Sequence, residues 1–132
     1  MTDAQLPELT DADLAFLETV FDLAREGKAA ELVPLIEQGI PVDLTNSRGD
    51  TLLILAAYYK HEELVVALIA LDADTSRVND NGQTALVSGV FRNNVPIVTA
   101  LLAAGADPSL GAHTALAIAQ QFGLPEMVTL LR

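Results

Sequence analysis

The chain has 132 residues, 51% of them hydrophobic, and sets 18 acidic side chains against seven Lys and Arg for a formal charge of -11. That apolar content is enough for one continuous core, so disorder is not expected, and the lack of cysteine excludes both a disulfide frame and a thiolate metal site. The surplus of negative charge repels phosphate backbones and anionic lipid, which argues against nucleic-acid and membrane-surface binding.

Acidic residues crowd toward the start of the chain, where Asp3, Glu8, Asp11, Asp13, Glu18, Asp22, Glu26 and Glu31 face only Arg25 and Lys28. That end reads either as a solvated cap that keeps the chain in solution or as an acidic docking face for a basic partner. Met1 to Gln5 is polar and acidic, unlike the basic and then apolar start of a signal peptide. No segment approaches the roughly 18 uninterrupted apolar residues of a membrane helix, so a soluble, cytoplasmic protein is expected.

In chain order, Thr10-Asp11-Ala12-Asp13 has the form of a helix cap, and Leu14, Leu17, Val20, Phe21 and Ala24 follow at helical spacing, which predicts a helix over 11–26. Gly27 ends it. A second helix over 29–38 is bounded by Gly39 and Pro41 and contains Pro34 near its start. Then Gly49-Asp50-Thr51-Leu52-Leu53 returns 33 residues later as Gly82-Gln83-Thr84-Ala85-Leu86, with Gly, Thr and Leu in register. Each copy predicts a helix pair, 51–59 with 62–71 and 84–92 with 95–104, and a shortened copy from Thr114 predicts 114–121 with 124–131. Pro96 and Pro125 fall in first turns, where a missing N–H costs little. The connecting segments 43–50 and 76–83 are polar, and Asn79-Asp80-Asn81-Gly82 is a turn sequence. A period near 33 marks an array whose units are too small to bury their own apolar faces and must stack.

On these residues the chain resembles the ankyrin repeat family, whose units open on Gly-x-Thr-Pro-Leu-His and close on Gly-Ala-Asp, as in Gly105-Ala106-Asp107. Pro-Leu-His is replaced by Leu52-Leu53-Ile54, Ala85-Leu86-Val87 and Ala115-Leu116-Ala117, and the lost histidine implies looser connecting loops. Asp72 stands where the family has a helix-ending Gly. The resemblance implies an all-α ankyrin-repeat solenoid of about four helix-turn-helix units with projecting β-hairpin-like loops. The whole chain is then one domain: a degenerate capping unit over about 10–42, units over about 43–75 and 76–108, and a shortened last unit over about 109–132. Small stand-alone proteins of this kind occur in bacteria.

The resemblance also implies that a partner docks on the concave side, formed by the loop tips and by two exposed positions at the end of each inner helix. Those positions fall on Arg25 and Glu26, Tyr58 and Tyr59, Phe91 and Arg92, and Gln121 and Phe122. Four of the chain's six aromatics lie there, and aromatics and Arg are the usual anchors of protein interfaces. The rings could instead seal gaps between units. The tips contribute Ser47, Arg48, Asp50, Asp80, Asn81, Gln83 and His113, either as a polar rim or as plain solvated turns. The expected function is a protein–protein interaction module, monomeric, acting as adaptor, inhibitor or helper of a partner enzyme; the alternative is a self-associating structural protein. No catalytic, metal or cofactor site is expected. His61 and His113 are separated by most of two units, His61 reads as a residue that holds a turn, and Asp72-Ala73-Asp74 lacks a clustered third ligand.

Overall fold

A computed structural model describes residues 9–132; Asp3 and Glu8 of the acidic start, and Met1 to Gln5, lie outside the described residues. The described residues form eight helices in four pairs: α1 (Asp11–Glu26) with α2 (Ala29–Glu37), α3 (Leu52–Tyr58) with α4 (Glu62–Ala70), α5 (Ala85–Phe91) with α6 (Val95–Ala103), and α7 (Ala115–Gln121) with α8 (Pro125–Leu131). Every helix matches its predicted span to within the capping residues. The inner helices α1, α3, α5 and α7 pack in succession, α2, α4 and α6 form a second row, and each outer helix packs on its inner mate. The result is an all-α solenoid. No helix among the described residues is long and apolar enough to cross a membrane.

The caps explain where the helices begin. Thr51, Thr84 and Thr114 each turn a hydroxyl oxygen to accept from the backbone N–H three residues on, at 3.0, 3.1 and 3.1 Å, which satisfies one otherwise orphaned donor per helix. The start of α1 is a full capping box: the Thr10 hydroxyl accepts from Asp13 N–H, while Thr10 N–H donates to the Asp13 carboxylate at 2.9 Å. Pro34 lies inside α2 rather than in its first turn, so the Ala30 carbonyl loses its helical donor.

Burial follows position in the stack. In α3 and α5, flanked on both sides, the first six residues are all buried, Leu52 to Ala57 and Ala85 to Val90. In α7 only Ala115 and Ala119 are buried, and exposed Ala117 and Gln120 stand where α5 carries Val87 and Val90. At the other end, α1 exposes Thr19 and Asp22 where α3 carries Leu52 and Leu55. At these positions both ends of the stack carry small or polar side chains in place of large apolar ones, although α1 also exposes Leu14 and Phe16.

The loop tips are turns with little ladder; among the described residues one isolated antiparallel bridge joins Thr45 and Thr51. The lost histidine implied looseness, but a pair of asparagines ties the tips together. The Asn46 side-chain oxygen accepts from the N–H groups of Arg48 and Asp50, and the Asn79 oxygen accepts from those of Asn81 and Gln83. Asn79 Nδ2 also donates across to the Asp50 carboxylate at 2.8 Å. Backbone bonds continue the chain of tips, from Asp80 N–H to the Arg48 carbonyl and from Ala112 N–H to the Gly82 carbonyl, both at 2.9 Å.

Candidate protein-binding groove

Tyr58 and Phe91 close α3 and α5, while Tyr59, Arg92 and Phe122 are the capping residues just beyond α3, α5 and α7. Because the inner helices stack in register, their ends line up, and side chains far apart in sequence become neighbours. The Tyr58 and Tyr59 rings meet edge to face with centroids 5.2 Å apart. Tyr58 lies nearly parallel to Phe91 at 6.4 Å and 18°, and Phe91 meets Phe122 edge to face at 5.5 Å. These are favoured arrangements of aromatic quadrupoles. The Arg92 guanidinium sits over the Tyr58 ring, 5.2 Å from its centroid, in cation–π contact.

Mutual contact does not bury the row. Tyr58 is half-buried, but Tyr59, Phe91 and Phe122 keep 44%, 44% and 49% of their surface exposed. A large contiguous aromatic surface left in water marks an interaction site more often than a packing accident.

Beside the row runs a cavity of about 330 Å³ between the inner-helix ends and the loop tips. Of the residues predicted from sequence, Arg48, Asp50, Tyr58, Tyr59, Asn81, Gln83 and Phe91 border it. Arg92 and Phe122 join through Tyr58 and Phe91. Asp80, Gln121 and His113 are exposed but do not border this cavity. Asp50 is spoken for by the Asn79 amide, so its carboxylate braces the tips as well as bordering the groove. Asn46, Asn79 and buried Ser88 also line the cavity and are absent from the sequence-derived set. The asparagines had a signal, since Asn46 to Gly49 and Asn79 to Gly82 repeat one spacing at the 33-residue period.

Arg25 borders the same cavity from the end of α1, half-buried and paired with Asp22 at 2.9 Å. Its main-chain carbonyl accepts a 2.6 Å hydrogen bond from His61 Nε2–H, which fixes the ring tautomer and joins α1 to the turn before α4. A Cβ at Gly27 would overlap that ring, and Gly27 also adopts φ 73°, so both chain path and packing favour glycine there. The two histidines share no site, since His113 lies on the third loop tip, before α7. Asp74 is likewise engaged, accepting from Ser76 Oγ and N–H and from Arg77 Nε. The Ser76 hydroxyl, the Ser76 N–H and Arg77 hold its carboxyl below the usual value. A second cavity, about 630 Å³, opens between Leu14, Leu17 and Phe21 of α1 and the first tip at Thr45 to Arg48.

A family profile of ankyrin repeats in three copies matches residues 21–112. A Pseudomonas aeruginosa protein, named as an ankyrin repeat protein, is 45% identical over 65 residues, which make up 49% of this chain and 38% of that protein. The match thus spans well under half of the relative's length. Ankyrin repeats are in general scaffolds that bind other proteins, and with the profile covering most of the paired helices, this chain belongs to the ankyrin repeat family.

Proposed function

We propose that the concave face binds a partner protein, with Tyr58, Phe91 and Arg92 at its centre and Tyr59, Gln121 and Phe122 extending the row. Arg48, Asp50, Asp80, Asn81, Gln83 and His113 form its polar rim. The observation that carries this reading is the continuous, half-exposed row of rings with a guanidinium lying over it. Buried aromatics and Arg at the centre of a patch, ringed by polar side chains, are the usual anatomy of an interface. The whole chain, residues 1–132, is read as one domain, working as a monomer in the cytoplasm to tether, inhibit or assist a partner enzyme. The small and polar residues on both end faces, Thr19 and Asp22 on one and Ala117 and Gln120 on the other, favour the monomer.

The test is affinity capture from native lysate with wild-type bait and with the Tyr58→Ala/Phe91→Ala/Arg92→Ala variant. Proteins retained by wild type and lost from the variant support the groove. Equal retention by both overturns it.

A further inference from the structure

We infer that the segment this groove takes is acidic: a stretch of partner chain that presents Asp or Glu carboxylates beside an aromatic or aliphatic anchor. This rests on the groove reading above and adds the chemistry of the occupant. The chain is strongly negative, yet three of its seven cations, Arg25, Arg48 and Arg92, gather at the groove, two bordering the cavity and the third lying over its Tyr58 wall.

Two of those charges are unspent. Among the described residues, ion pairs join Arg25 to Asp22, Lys28 to Glu26 and Arg77 to Asp74, and none involves Arg48 or Arg92. Both are exposed. The Arg92 guanidinium lies over the Tyr58 ring, 5.2 Å from its centroid, and among the described residues no carboxylate pairs with its N–H donors. A guanidinium without an ion-pair partner can receive a carboxylate through two parallel hydrogen bonds. Cation–π attraction to the ring restrains the side chain, so less freedom is lost on binding.

Among the described residues, none of the acids nearby pairs with Arg48 or Arg92. Asp50, the one carboxylate that borders the cavity, accepts from Asn79 Nδ2 at 2.8 Å and from Asn46 Nδ2 at 3.4 Å. Asp22 is paired with Arg25, and Glu26 is within 3.8 Å of the Lys28 ammonium. Asp80 is exposed and does not border the cavity, and Glu18 borders the neighbouring one. Carboxylates along an incoming segment can therefore pair with Arg48 on the cavity wall and with Arg92 over the Tyr58 ring, while a flanking apolar side chain finds the Tyr58 and Phe91 rings. A basic segment would meet an unpaired cation at the centre of the site, Arg92, and another on its rim, Arg48, which costs affinity.

The experiment is selection of a phage-displayed library of random dodecapeptides on the full-length chain. The recovered peptides are then synthesised and measured against wild type, Arg48→Gln/Arg92→Gln and Tyr58→Ala/Phe91→Ala, all checked by circular dichroism. The inference expects peptides of net negative charge that pair carboxylates with an aromatic or aliphatic residue. It also expects their affinity to fall about tenfold or more in the arginine variant, as loss of charge-assisted hydrogen bonds implies. Basic or uncharged peptides that lose binding in the ring variant overturn the acidic preference and leave the groove standing. Acidic peptides that bind the arginine variant as tightly as wild type overturn the inference too. Peptides that bind both variants like wild type, or no peptides at all, count against inference and groove together.

Discussion

His61 shows how one side chain can join two helix pairs. Its Nε2–H reaches back 36 residues to the Arg25 carbonyl, at the open end of α1, and so steadies the backbone that presents Arg25 to the groove. His61→Ala is therefore expected to destabilise the fold by about 1–2 kcal/mol, read as a lower urea midpoint with an unchanged slope. The acids offer a second test. Backbone and hydroxyl bonds from Thr10 hold the Asp13 carboxyl below its usual value, and the hydroxyls and N–H groups of Ser76 and Ser109 do the same for Asp74 and Asp107. A carboxyl with a lower pKa folded than unfolded stabilises the fold above its unfolded value, near 3.8, and that contribution fades as pH falls through the folded value. Thermal stability should therefore drop below about pH 4, and Asp74→Asn/Asp107→Asn should lower it at neutral pH while flattening the acid drop. The turn-holding role of His61 was legible from its place after the first helix of its unit. Its partner was not, because a contact across 36 residues depends on how units stack.

At the scale of the element, each inner helix ends in a left-handed residue at the same place in the unit: Gly27, Lys60, Asn93 and Gly123, with φ 73°, 67°, 53° and 64°. Glycine and asparagine adopt this conformation cheaply, whereas lysine crowds its Cβ against the backbone. Lys60→Gly should accordingly raise stability by about 1 kcal/mol, seen as a higher melting temperature, and loss of stability would show that the Lys60 side chain contributes more than its backbone costs. Helix limits were legible because Thr caps and Gly or Pro stops act within one turn of chain. The order of the loop tips was not. Asn79 bonds Asp50 in the preceding unit, and nothing local to Asn79 announces that acceptor. The lost family histidine pointed toward looser loops, and the amide network shows a different means to the same bracing.

Across the whole molecule, the register of the stack turns a repeat position into a surface. The sequence period put Tyr58, Phe91, Arg92 and Phe122 at matching helix ends, but only packing shows that the rings touch in one row while staying nearly half exposed. Spacing fixes where a side chain starts and not how it turns, so the cavity beside the row, bordered by Arg25, Asn46 and Asn79 as well, emerged with the assembled stack. The claim at the centre of this account is that the row is a surface kept for a partner, not a seam that holds units together. The direct measurement is the thermal melt of Tyr58→Ala/Phe91→Ala/Arg92→Ala by circular dichroism, read beside its capture of partner protein. The account predicts a helical, cooperatively melting variant within about 10 °C of wild type, the loss of a few ring contacts, that no longer retains the partner. A variant that loses its cooperative melt, or that melts normally and still retains the partner, would contradict it.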